Sequence, residues 1–135
     1  CVAAVPADDP LAAQDVIALE QFSGRTMASM GNRHRFRRLV DEALAAHGVV
    51  PAGEVMSTST VTALHIIETG LAIGIVEPLT AYGMPLAGVA IRPLAKEIPF
   101  YWGVVSALGH PLDSVLTDLV AAHETVVEAS VPGFR

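Results

Sequence analysis

Between Ser57 and Pro78 the chain gathers residue types that recognise charged small molecules. Ser57, Thr58, Ser59 and Thr60 are four consecutive hydroxyls. A helix start needs one such side chain to accept from its free backbone N–H groups, so four exceed what a cap requires. Behind them Val61, Leu64, Ile67 and Leu71 recur at helical spacing, with Ile66 alongside. Gly70 is placed to stop that helix in a left-handed turn. A helix N-terminus offers unpaired donors and a partial positive charge, which suits a carboxylate. Leu71 to Val76 is short and apolar on both faces, which predicts a strand buried in a parallel sheet. At its end, Glu77 has the charge to meet an ammonium or guanidinium group, or to make a rim salt bridge. Pro78 suits the first position of another helix. Ligands of open α/β sheets bind outside the carboxyl ends of strands, so both places attract a site assignment.

The elements that must carry these residues follow from pattern. Cys1 to Val5 reads as an apolar strand, and a strand entering so directly predicts that the chain begins in mid-protein. Pro6 to Pro10 reads as a loop, and Leu11 to Gly24 as an extended piece around Val16 followed by a helical turn at Leu19 to Phe22. A strand at Arg25 to Ser29 leads to Gly31 and Asn32, which open a helix with Asn32 as its N-cap. Phe36, Leu39, Val40, Ala43 and Leu44 form its apolar stripe, and Gly48 is its stop. Gly53 to Ser57 is the next strand. After the central helix and strand come a short helix at Pro78 to Tyr82 and strands at Gly88 to Leu94 and Ile98 to Ala107. A last helix over Pro111 to Ala129 has apolar Leu112, Val115, Leu116, Leu119, Val120 and Val126. Strand–helix–strand–helix–strand implies two right-handed βαβ units, hence an α/β fold.

Composition excludes several functions. In 135 residues, 52% are hydrophobic and 16% charged, which predicts a buried sheet or an apolar face awaiting a partner. A net charge of −6 argues against direct nucleic-acid binding. Arg33, Arg35, Arg37 and Arg38 are half of the 8 basic residues, but a helix spreads them over several faces. Arg35 and Arg38 are expected on a solvated or dimer-facing side, Arg33 near the cleft. One cysteine cannot form an internal disulfide, and no apolar run reaches membrane-span length. The first residues also lack the basic segment of a signal peptide. The 5 histidines show no metal-ligand spacing, since His65 and Glu68 lack the second histidine of a zincin helix. No nucleophile elbow or phosphate loop is present, so neither an enzyme nor a bound cofactor is expected.

Taken together, the chain resembles the effector-binding domain of LysR-type transcriptional regulators. Val5-Pro6-Ala7-Asp8-Asp9-Pro10-Leu11-Ala12 is similar to the family's P-x-x-H-P-L-A crossover, with Asp9 where histidine is common. Ser57 to Pro78 is similar to its S-x-x-x-x-x-L-V-x-x-G-L-G-I-x-x-x-P signature, with Ala72 replacing the usual second glycine. Ile98-Pro99-Phe100 and His110-Pro111-Leu112 match its closing pattern. Glu77 to Ala81 and Arg92-Pro93-Leu94 resemble the branch that senses amino acids and opines.

The resemblance implies a type 2 periplasmic-binding-protein-like fold of two α/β lobes joined by crossover strands, with an effector in the cleft. This chain would supply lobe II over residues 13–85, a crossover strand and loop over 1–12, the return crossover and C-terminal helix over 86–131, and a tail at 132–135. It further implies effector contacts at Ser29, Met30, Gly31, Arg33, Ser57, Thr58, Ser59, Glu77 and Pro78. A homodimer interface would include Arg35, Arg38, Glu54 and Val55, with a tetramer in the full-length form. DNA would be bound only through an upstream winged helix-turn-helix. The expected effector is an amino acid or carboxylate, the location cytoplasmic, and no membrane is involved. A periplasmic solute-binding protein of the same fold is the alternative.

Overall fold

The computed structural model describes residues 1–31, 35–103, 105 and 113–133. They divide into two units, Cys1–Phe100 and Tyr101–Arg135.

The first unit is built on a five-stranded mixed sheet. Its strands are β1 (Val2–Pro6), β2 (Thr26–Met30), β3 (Gly53–Ser57), β4 (Ile73–Val76) and β5 (Val89–Pro93), in the order β3-β2-β4-β1-β5. β2 pairs in parallel with both β3 and β4. β1 runs antiparallel to β4 and β5, with Val2 opposite both Val76 and Pro93. The expected parallel sheet is therefore correct for three strands and altered by the first, whose five residues are all buried between two neighbours. Two single turns of 3-10 helix, Pro10–Ala13 and Leu19–Phe22, occupy the segment after β1. Ile17 makes an isolated bridge to Leu94, which is the extended piece expected near Val16.

Helices α1 (Arg35–Ala46), α2 (Thr60–Glu68) and α3 (Pro78–Gly83) connect the strands. Two apolar clusters hold them. One joins Val40 and Leu44 of α1, with Phe36, Leu39 and Ala43 at its margin, to Ala3, Val5, Met27, Ile73 and Ile75 of the sheet. The other joins Ala63, Leu64 and Ile67 of α2 to Val2, Ala4, Ala28 and Val76. Alternate residues of β1 thus serve both clusters, as a two-layered strand requires. Gly48 (φ +64) and Gly70 (φ +79) end α1 and α2 in the left-handed region, where glycine carries no Cβ penalty. The predicted cap at Asn32 lies outside the described residues.

Two expected strand assignments are corrected. β4 begins at Ile73 rather than Leu71, because Leu71 belongs to the turn after Gly70 and is 61% exposed. None of residues 98–103 or 105 is in a strand. Pro99 has no N–H to donate, and the Ile98 carbonyl accepts instead from the Cys1 nitrogen at 2.6 Å. Phe100 packs edge-on against Phe36, ring centroids 6.3 Å apart.

The second unit contains α4 (Ser114–Ser130), capped by Asp113, whose carboxylate accepts from the Leu116 N–H at 2.8 Å. The Trp102 and His123 rings meet at a tilt of 53°, with centroids 4.4 Å apart. Val127 and Val131 are buried, while Val115, Leu116, Leu119 and Val126 are exposed. No described helix is long and apolar enough to cross a membrane.

Candidate functional site

Because β2, β3 and β4 are parallel, their carboxyl ends share one edge of the sheet, and most of the predicted contact residues meet there. Met30 lies opposite Ser57 in the register, and the next residue, Gly31, donates its N–H to the Ser57 carbonyl at 2.6 Å. A Cβ on Gly31 would lie 3.3 Å from that same oxygen, a tight contact that would ask the backbone to give by a few tenths of an ångström. The antiparallel β1 brings Val2 to the same edge beside Val76, the residue before Glu77. Arg33 lies outside the described residues.

The hydroxyl run divides its labour. Ser57, 4% exposed, closes a turn on itself: its Oγ donates to the Ser59 carbonyl at 2.7 Å and accepts from the Ser59 N–H at 3.2 Å. Ser59 is the N-cap of α2, accepting from the Thr62 N–H at 3.2 Å, with the Thr62 hydroxyl 2.9 Å away. Thr60 is 9% exposed, and among the described residues no partner is found for its hydroxyl. Thr58 is exposed. Two hydroxyls are therefore spent on the turn and the cap, and two remain beside the positive end of a helix. Sequence reasoning grouped Thr60 with the hydroxyls but did not select it as a contact. Its burial is a tertiary fact, set by the packing of α2 on the sheet.

Glu77 is the N-cap of α3, and the Thr80 N–H lies 3.1 Å from each of its carboxylate oxygens. Pro78 occupies the first helical turn as predicted. The half-buried carboxylate keeps lone pairs beyond the one N–H it accepts, so capping and cation recognition are compatible.

Ser29, 9% exposed, donates from its hydroxyl to Glu54 Oε1 at 3.2 Å, on the side of the sheet covered by α1. It lines a small pocket with Met27, Met30, Phe36, Arg37, Val40 and Ile75. Glu54 is held further by Arg37, whose Nη2 lies 2.8 and 3.0 Å from its two oxygens. Arg37, which sequence reasoning assigned no place, also reaches Asp41 and the Met30 carbonyl. Burial works against its charge, but the bonds to Asp41 and Glu54 outweigh it and raise the guanidinium pKa above the ordinary arginine range. Of the residues expected at a dimer interface, Arg35, Arg38 and Glu54 are exposed and Val55 is half-buried. Arg38 lies 3.5 Å from Glu42 on its own helix. Among the described residues no cluster of three or more His, Cys, Asp or Glu is arranged to hold a metal. His65 lies 3.3 Å from Glu68 on the surface.

An edge of helix N-termini and strand ends, with hydroxyls and one acidic group, can bind a small anion or zwitterion. Among solved structures, a regulatory domain of CcmR from Synechocystis PCC6803, in complex with 2-PG, aligns with a TM-score of 0.67 at 15% identity, covering 93% of this chain and 61% of that one. The BenM effector-binding domain with its effector benzoate aligns with a TM-score of 0.59 at 19% identity, covering 70% of this chain and 44% of that one. These establish the fold as the mixed α/β, periplasmic-binding-protein-like type 2 arrangement. In sequence, the transcriptional activator protein LysR of Escherichia coli (strain K12) is 26% identical over 131 residues, 97% of this chain. The chain spans 41% of that relative's length. The family described as the LysR substrate binding domain matches residues 1–126. On that match the chain belongs to the LysR substrate-binding-domain family, whose relatives are transcriptional regulators rather than enzymes.

Proposed function

We propose that the carboxyl edge of β2, β3 and β4 is the effector site of a LysR-type transcriptional regulator, and that its effector is a small amino-acid-like zwitterion. The observation that carries this reading is the start of α2, where the exposed Thr58 and the buried Thr60 hydroxyl stand at a helix N-terminus beside Gly31 and Ser57. An effector carboxylate there gains backbone donors, hydroxyls and the helix dipole. Glu77 then meets the cationic end. BenM's effector, benzoate, is a carboxylate, which supports the anionic half of this assignment.

In this reading the chain is lobe II with its crossover strands, and a first lobe and a winged DNA-binding domain complete the cytoplasmic protein. A homodimer forms through the α1–β3 face, where Arg35, Arg38, Glu54 and Val55 lie, and assembles into a tetramer in the full-length form. The exposed apolar residues of α4 support a further lobe as their cover.

The test is calorimetry on the full-length protein with a panel of L-amino acids and their des-amino carboxylates. Glu77→Gln is expected to weaken an amino acid about tenfold, as for loss of a charged hydrogen bond, and to spare the des-amino acid. Thr58→Ala is expected to weaken both alike, by about fivefold. Equal losses for both ligands in Glu77→Gln would reduce Glu77 to a helix cap and remove the zwitterion assignment.

A further inference from the structure

We propose that Arg37 is the positioning residue of this edge: it fixes the backbone at Met30–Gly31 and ties it to β3 and α1, so that the site and the α1–β3 face move as one body. The proposal rests on reading that edge as the effector site.

A guanidinium has five N–H donors in a fixed plane, and Arg37 spends them in three directions. Nε lies 2.8 and 2.7 Å from the two Asp41 oxygens, one turn along α1. Nη2 faces both oxygens of Glu54 on β3. Nη1 donates to the Met30 carbonyl at 3.3 Å and lies 3.8 Å from the Met56 sulfur. Helix pairing explains only the first of these, since an i,i+4 pair on a solvated helix needs nothing beyond its own turn. The other contacts cross to two strands, and the side chain is 19% exposed.

The bonds also close a ring. Ser29 donates to Glu54 Oε1, Arg37 donates to the same carboxylate, and Arg37 returns to the carbonyl of Met30, the residue after Ser29. On the other side of that carbonyl, the Gly31 N–H is held by Ser57. A movement of the Met30–Gly31 peptide therefore pulls on Glu54 through one rigid, planar group. Lysine, a single point charge on a flexible stem, cannot make the same set of bonds.

Hydrogen–deuterium exchange on the full-length protein without ligand tests this. Arg37→Met is expected to raise exchange about tenfold in peptides covering Thr26–Gly31 and Gly53–Ser57, and to leave Ile73–Val76 of the neighbouring strand unchanged. Arg37→Lys should recover less than half of the lost protection. Glu54→Gln, which keeps the shape of the side chain, should loosen Met30–Gly31 in the same direction. Acceleration confined to α1, full rescue by lysine, or a uniform rise that includes β4 would each make Arg37 an ordinary fold-stabilising ion pair and overturn the proposal. No effector enters the measurement, so an empty ligand panel and an unchanged exchange pattern are separate failures.

Discussion

Asp9 shows how one departure from a family pattern is accommodated. It stands where the resembled motif favours histidine, and its carboxylate, 9% exposed, caps the turn Pro10–Ala13 by accepting from the Leu11 N–H at 2.9 Å. It also forms an ion pair with Arg25, just before β2. Burial pushes this carboxyl up, but the Arg25 hydrogen bond, the Leu11 amide and the Arg25 charge together hold it below its ordinary value. A depressed folded pKa contributes stability that is present above the unfolded value of about 4 and is lost as pH falls through the folded one. Asp9→Asn should therefore cost about 1–3 kcal/mol at pH 6 by denaturant midpoint, and the gap to the wild type should narrow towards pH 3. A gap that does not change with pH would show that packing, not charge, is what Asp9 supplies. Residues whose role is local were legible in part: the hydroxyl run was read as the start of α2, where Ser59 is the cap, and Pro78 was read as the start of α3, whereas the capping role of Glu77 was not foreseen. Arg37 was not, because its partner Glu54 lies 17 residues away on another element.

The helix ends were readable for the same reason, since a stop at Gly48 or Gly70 depends on backbone conformation at one residue. The segment after Leu94 was misread because bulk and β-propensity at Phe100, Tyr101 and Trp102 say nothing about whether a neighbouring edge is available. Close packing between elements was equally hidden. Gly74 of β4 lies under α2, where an added Cβ would come within 2.9 Å of Ile67 Cδ1 and 3.2 Å of the Ala28 carbonyl. Gly74→Ala is expected to destabilise the fold by about 1–3 kcal/mol through overpacking. Because the nearest obstruction is the terminal methyl of Ile67, adding Ile67→Val should recover part of that loss. Strict additivity of the two changes in a denaturant titration would show that α2 shifts as a body instead.

For the whole molecule, the surplus of apolar residues seen in the composition has a definite address on α4. Val115, Leu119 and Val126 are 71%, 62% and 62% exposed, all three among the apolar residues that the sequence placed on the last helix. Residues 1–135 expressed alone should bind an apolar dye or self-associate, and Leu119→Glu with Val126→Lys should suppress that binding. A monomer that melts cooperatively and binds no dye would refute it. The α/β class was legible from alternating periods of strand and helix, whereas strand direction was not, since an apolar run reads the same either way. That undetected reversal of β1 has a consequence for the order in which the chain acquires structure. β1 is the second-last strand of the sheet in space but the first in sequence, and Ala3 finds its partners at Ile75 and Arg92. During synthesis Val2–Pro6 must therefore wait, apolar and without its partners in this sheet, until the chain has emerged as far as Val76. Closing loops of that length is slow relative to local helix formation, so β2, α1 and β3 can pair while the segment that will fill the gap between β4 and β5 is still a strand in search of a sheet.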